Sequence, residues 1–372
     1  MSNGPQYSTI IRSLEPSVPF VSPFTIERDM GRPFRLRLGA NESSFGISPK
    51  AFKAMNEALE TLYWYCDPEA YDLRQALAKR HGVTVKEILI GSGIDDLLGL
   101  TVRTFMDPGD VAVTSMGTYP TFAYHVKGYG GKIHFVPYTE DFRNDLGALV
   151  DAAKRTNAKL LYLANPDNPS GTHYSKPQVE SFLNNVPDCC LVILDEAYIE
   201  FAPRDVGTPI QTHDRRVIRM RTFSKVYGLA GARIGYAITN SETVDAFDKV
   251  RLHYGVNSVA LAGALASLND PTFERTVIQE VQRGRHEYET LGNKLGLPVL
   301  PSYTNFVCFN LQDMAVAKRV ALELKKRGVF VRQANGQPFD RFIRVTVGSP
   351  TERTIFSEIL SEVATLLEVI HG

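Results

Sequence analysis

The 372-residue chain has only four cysteines, Cys66, Cys189, Cys190 and Cys308, and no Cys-X-X-Cys pair. That excludes a disulfide framework and points to a reducing cytoplasm. An excess of one charge sign is also missing, since 41 Lys and Arg balance 41 Asp and Glu. Nothing in that balance draws the chain to nucleic acid or to an anionic membrane. Long hydrophobic runs are absent: the longest is Cys189–Leu194, far short of the ~20 residues of a membrane-spanning helix. The opening MSNGPQYSTIIRSLEPSVPF has no charged start followed by an apolar stretch, so it does not read as a secretory leader. The eight histidines form no HxH or HExxH pattern, and no metal site is expected.

What is present is ordinary globular usage, 44% hydrophobic and 22% charged, with apolar material for a large core. At ~150 residues per domain, the length suggests two to three domains. Residues 1–45 are rich in Pro and Ser and read as an extended arm that crosses other parts of the protein. Ser48-Pro49 opens a helix, and a second, Glu69–His81, stops at Gly82. Strand-like runs follow at Glu87–Ile90, Val111–Thr114, Lys132–Val136, Leu160–Leu163, Leu191–Leu194, Val217–Arg221 and Ile234–Ile238. Amphipathic stretches such as Ile94–Phe105 and Gln178–Asn185 lie between most of them. Strands alternating with helices imply a mainly parallel sheet covered on both faces, with ligands at the carboxyl ends of its strands.

After residue 250 the pattern changes. Helical sequence from Asp245 to about Leu295 precedes strands Phe306–Asn310, Val329–Arg332 and Ile343–Val347, a helix at 313–327 and a last helix Thr351–Ile370. The expected architecture is α/β: a large domain at 46–250 and a smaller α+β domain at 251–372, completed by the arm.

Six stretches carry chemistry-bearing residues, and each also has a plainer reading. Thr222-Phe223-Ser224-Lys225 precedes a Gly-rich segment holding Arg233. A lysine amine there can form an imine with an aldehyde and later shuttle a proton, or it can be a solvated surface lysine. Asp195 ends the run 191–194 and is followed by Tyr198. It can pair with a protonated ring nitrogen or cap a turn. Asn168 lies between two prolines in NPDNPSG, as a ligand contact or as part of a turn. Gly91-Ser92-Gly93-Ile94 opens a helix whose N–H groups suit one phosphate. Tyr119 can stack on a flat ring or pack in the core. Arg344, inside an apolar strand, requires an anion, either a substrate carboxylate or an internal partner.

Taken in order, GSGIDDLL, TYP, NPDNPSG, DEAYIEF, TFSKVYGLAGARIGY and IRVTVG resemble the pyridoxal-phosphate (PLP) enzymes of fold type I. The resemblance is strongest to the histidinol-phosphate aminotransferase branch and runs from about Leu36 to the last helix. It implies that Lys225 forms the internal aldimine with PLP and that Asp195 holds the pyridinium nitrogen. Asn168 and Tyr198 would bond the ring hydroxyl, and Tyr119 would stack on the ring. Gly93, Ile94, Ser224, Arg233 and Thr222 would hold the phosphate, joined by Tyr65 donated from a neighbouring subunit. Substrate contacts would come from Arg344 at its carboxylate or equivalent end, Arg332 at a substrate phosphate, Asn41 in the arm, and Tyr65.

The implied protein is a cytoplasmic homodimer with shared active sites, acting in amino-acid and specifically histidine biosynthesis. Its partners would be a small-molecule amino donor and a 2-oxo acid such as 2-oxoglutarate. Two stretches depart from the branch's usual wording, Leu38–Gly46 and Trp64–Pro68. They leave the donor open between histidinol phosphate and a related or aromatic amino acid. The same scaffold also serves amino-acid decarboxylases and oxidases, and a non-catalytic PLP-binding module is the remaining alternative.

Overall fold

Parallel strands need a crossover between them, and the alternation of apolar runs with amphipathic stretches supplies one at nearly every step. The computed structural model describes residues 4–16, 21–203, 206, 210–333 and 336–371, the last five as backbone only. β1 (Leu36–Arg37) ends the N-terminal segment. β2 (Ile88–Gly91), β3 (Val111–Ser115), β4 (Lys132–Val136), β5 (Leu160–Ala164), β6 (Leu191–Asp195), β7 (Val217–Thr222) and β8 (Gly235–Ile238) make a seven-stranded sheet in the order β2-β8-β7-β6-β5-β3-β4. All its strands run parallel except β8, which is antiparallel to both neighbours. The β7–β8 connection carries only the 3-10 turn Ala230–Ala232 in place of a crossover helix, so the chain returns in the opposite direction.

Alternation along the central strands divides the core in two. Leu160, Tyr162 and Ala164 of β5 join Leu191 and Ile193 of β6 and the helix Ile94–Phe105 on one face. Leu161 and Leu163 join Val192, Leu194 and the helix Leu146–Thr156 on the other. Both strands are buried throughout, as expected of a doubly covered sheet.

β9 (Phe306–Asn310), β10 (Val329–Phe330), β11 (Arg332–Gln333) and β12 (Phe342–Thr346) complete the strands, with order β11-β12-β9 in one small sheet and β1 beside β10 in another. The expected single strand Val329–Arg332 is therefore two. Leu38 N–H donates to Phe330 O and Leu38 O accepts from Thr346 N–H, at 2.8 and 2.7 Å. The arm thus wedges between β10 and β12, and the chain changes sheets at Val331.

The arm does cross the molecule, but it is not simply extended. Helix Pro23–Met30 forms because Ser22 Oγ accepts from Phe24 N–H, Pro23 occupies its first turn and Gly31 ends it at φ 68°. The expected helix from Glu69 starts later, as Tyr71–His81, because the Asp67 carboxylate takes the N–H groups of Glu69 and Tyr71. The helical sequence from Asp245 resolves into Ser241–Asp248, Ser258–Leu268 and Pro271–Leu295, each N-capped by an Asn or Asp side chain. Among the described residues no helix is long and apolar enough to cross a membrane.

Candidate active site

The turns after β2, β3, β5, β6 and β7 all open at the same edge of the large sheet, because those five strands are parallel. Arg344 on β12 and the arm segment 39–42 meet them there.

Lys225 is half-buried in the turn after β7. Its Nζ donates to Asn41 O at 3.1 Å and lies 5.6 Å from the centre of the Tyr198 ring. Burial, then the nearby Arg344 guanidinium, pushes its amine from 10.5 down to about 8. A neutral amine is the nucleophilic form, so a lowered value makes more of it available near neutrality. Reaction of the protein with a simple aldehyde, trapped by borohydride and read at Lys225 by mass spectrometry, is expected to rise about tenfold per pH unit up to about pH 8. Above that it should level off. A rise continuing toward pH 10.5 would place the amine in an ordinary environment.

Asp195 sits at the carboxyl end of β6 and is buried. Tyr162 Oη donates to its Oδ2 at 2.6 Å, and Ala197 N–H to its Oδ1 at 2.9 Å. Burial raises its carboxyl to about 6 despite those donors. The next residue, Glu196, anchors this turn to β7 through Arg219 at 2.7 Å and Arg221 at 2.8 Å. Burial alone would raise Glu196, but Arg221 and Arg219 hold it below the usual carboxylate range.

Asn168 and Tyr198 lie in the same cluster. Arg344 Nη1 donates to Asn168 Oδ1 at 2.6 Å, and Asn41 Nδ2 to Tyr198 Oη at 2.9 Å. Burial pushes the Tyr198 phenol up to about 12, so it remains a hydroxyl.

At the start of helix Ile94–Phe105, the first N–H groups have no partner within the helix. Gly93 caps it at φ 91°, and a Cβ there would lie 2.7 Å from Arg233 Nη2. Glycine is what lets the arginine approach this backbone. Arg233 Nη2 lies 3.6 Å from Asp95 Oδ2, while Tyr119 Oη donates to Asp95 Oδ1 at 2.8 Å. Thr222 Oγ1 donates to Ser224 Oγ at 2.9 Å, and Ser224 N–H donates back to Thr222 Oγ1 at 3.0 Å. N–H groups, two hydroxyls and a guanidinium together suit a phosphate.

Arg344 and Arg332 are direct cross-strand partners in the antiparallel β11–β12 pair. Both donate to Gly39 O, at 3.4 and 3.3 Å, and Arg332 also to Val21 O at 3.4 Å. A Cβ at Gly39 would come within 2.7 Å of the Phe330 ring, so only glycine lets this carbonyl reach both cations. Like charges placed opposite each other are unfavourable without an anion between them. Arg344 Nε is buried with no hydrogen-bond partner. Burial, then Arg344, lowers Arg332 to about 10, and burial lowers Arg344 as well. Two facing guanidiniums with an unpartnered Nε suit an anion.

Tyr65 does not join the cluster. Its ring lies 86% exposed at the surface, 4.9 Å from the Tyr254 ring. Three contributors escaped sequence reasoning. Asp95 ties the ring-stacking candidate Tyr119 to Arg233. Asn305 fixes Asn41 O from Nδ2 at 3.1 Å, with its own Oδ1 buried and unpartnered. Tyr162 reaches Asp195 because both side chains lie on the same face of adjacent strands, a relation the alternation in the two runs could have shown.

The model of the family "Aminotransferase class I and II" matches residues 35–359. A histidinol-phosphate aminotransferase of Dechloromonas aromatica is 34% identical over 368 residues, 97% of this chain and 99% of the relative. One from Methylobacillus flagellatus is 35% identical over 359 residues, 95% of this chain and 96% of the relative. The crystal structure of histidinol-phosphate aminotransferase from Sinorhizobium meliloti in complex with pyridoxal-5'-phosphate superposes with a TM-score of 0.95 at 41% identity, covering 98% of this chain and 99% of that one.

Proposed function

This chain belongs to the class I and II aminotransferases, and we propose that it moves an amino group between histidinol phosphate, or a related or aromatic amino compound, and a 2-oxo acid such as 2-oxoglutarate. Its cofactor is pyridoxal 5'-phosphate, and the residues present fit that group. A lowered lysine amine, a buried carboxylate and a cluster of phosphate-suited donors that Arg233 can join because residue 93 is glycine lie at one sheet edge. The observation that carries the reading is the meeting of Lys225 with Arg344 and Asn41 at this edge. When bound, the cofactor supplies an aldehyde that takes up an amine and a ring that accepts the electrons released at Cα.

The roles proposed for this chain's residues are those the family resemblance implies, and the chemistry of each side chain fits its role. Lys225 supplies the amine that anchors the cofactor and, once displaced by substrate, takes the Cα proton and returns it. Asp195 would accept a hydrogen bond from the protonated ring nitrogen. Tyr119 would cover one face of the ring, and Asn168 and Tyr198 would bond its hydroxyl. Gly93, Ile94, Thr222, Ser224 and Arg233 would hold the phosphate. Arg344 grips the substrate's carboxylate or equivalent end, Arg332 its phosphate, and Asn41 orders the arm against Tyr198 and Lys225.

A homodimer completes this picture. Tyr65 is exposed beside Trp64 and Tyr254, and this aromatic surface supports a role in which Tyr65 of one subunit reaches the phosphate of the other. Residues 1–45 and 251–372 then act as one body beside 46–250, a grouping supported by the β1–β10 pairing and the Leu38–Thr346 bond. The free cysteines Cys66, Cys189, Cys190 and Cys308 suit a cytoplasmic enzyme of histidine biosynthesis.

The test is a visible absorption titration of the cofactor-loaded protein. Histidinol phosphate is expected to convert the spectrum to that of pyridoxamine 5'-phosphate, and 2-oxoglutarate to restore it. Conversion by aromatic or other amino acids alone would keep the reaction and remove the named donor. Release of carbon dioxide or peroxide in place of a keto product would replace the reaction itself.

A further inference from the structure

Tyr162 and Asp195 lie on the adjacent parallel strands β5 and β6, where Tyr162 is level with Ile193 and Ala164 with Asp195. The Tyr162 ring is 1% exposed and stacks on Phe122, with centroids 5.1 Å apart and planes at 17°. A phenylalanine would fill the same space and keep that stack. The hydroxyl therefore has no packing duty, yet it donates a 2.6 Å bond to Asp195 Oδ2. Asp195 Oδ1 is fixed independently by Ala197 N–H.

We infer that Tyr162 is a positioning residue for the reaction: its hydroxyl holds Asp195 in one orientation and keeps it ionised, so that the carboxylate meets the cofactor's protonated ring nitrogen already charged and aimed. The inference rests on the role of Asp195 given above. In the loaded protein one proton is shared between two bases, the carboxylate and the ring nitrogen. A donor on the carboxylate weakens it as a base and leaves the proton on nitrogen, where the ring can accept electrons. Without that donor the proton shifts toward Oδ2. The charged groups around Asp195 oppose one another: Lys225 after β7 favours the carboxylate, and Asp95 on the helix Ile94–Phe105 disfavours it. Tyr198 adds only a neutral hydroxyl, since its phenol is raised to about 12.

The experiment compares wild-type and Tyr162→Phe apoprotein by following the Asp195 carboxyl carbon in an NMR pH titration, assigned with Asp195→Asn. Loss of one charge-assisted hydrogen bond should raise the Asp195 midpoint by about one pH unit, a tenfold change in proton affinity. In the loaded enzyme kcat should fall about tenfold, with KM for the amino donor nearly unchanged. A tyrosine that merely filled space would leave both thermal stability and the Asp195 midpoint where they were, since phenylalanine keeps the Phe122 stack, and that result would overturn the inference. If the variant does not fold, the wild-type apoprotein decides. A hydroxyl proton held in so short a bond to a carboxylate resonates far downfield and should vanish as Asp195 is protonated, and absence of that signal is equally fatal. Failure of the aminotransferase reading would look different: no turnover by the wild type, with the two Asp195 midpoints still apart.

Discussion

Lys225→Ala is expected to abolish transamination, with kcat reduced by at least about 10⁴-fold, while the fold is kept. Two functions disappear together, the amine that anchors the cofactor and the base that moves the Cα proton. General acid–base catalysis by a positioned side chain contributes roughly 10² to 10⁴-fold, and the nucleophilic role adds to it. Structural cost should be small, because Lys225 gives up one bond to Asn41 O and is itself only half-buried. Circular dichroism and thermal unfolding should match wild type, and borohydride should no longer fix cofactor to the chain. Turnover within tenfold of wild type would end the proposed mechanism.

Arg344→Ala should lower kcat/KM for the amino donor by roughly 10² to 10³-fold, the range for truncating one partner of a desolvated charge pair. Arg344→Lys should rescue it poorly, since an ammonium cannot present the two-pronged fork that a carboxylate or phosphate accepts. A second consequence separates this residue from a passive scaffold. Arg344 helps hold the Lys225 amine down at about 8. Removing its positive charge favours the protonated amine, so the Lys225 midpoint should move to higher pH. The aldehyde-trapping profile reads that shift directly. Thermal stability should not fall with activity, because Arg344 has a buried, unpartnered Nε and faces a second arginine. A variant that unfolds, or one whose Lys225 profile stays in place, would contradict this account.

Both predictions concern residues visible as motif positions, yet their energetics depend on neighbours far away in sequence. Asn41, the acceptor for Lys225, lies 184 positions away, and Asn168, the acceptor for Arg344, lies 176 away. Such pairings follow from which strand ends share an edge and where the arm returns. Tyr65 shows the converse. Its sequence context suggested a site residue, but within one chain its ring is at the surface beside Tyr254.

By itself, the amino-acid sequence determined the alternation of buried strands and amphipathic helices, because hydrophobic periodicity is a local property. It also determined which residues end each strand, so Asp195, Asn168, Lys225 and the Gly93 turn could be read as one set. Only the tertiary structure decided what those residues do to one another. It divided Val329–Arg332 between two sheets, because the arm inserts Leu38 between Phe330 and Thr346. It placed Arg332 opposite Arg344, a matter of strand register that the separate strands do not encode. It brought Tyr162 to Asp195 across neighbouring strands. Proton affinity and charge pairing depend on distance and burial in space, and these are set only when the whole chain has packed.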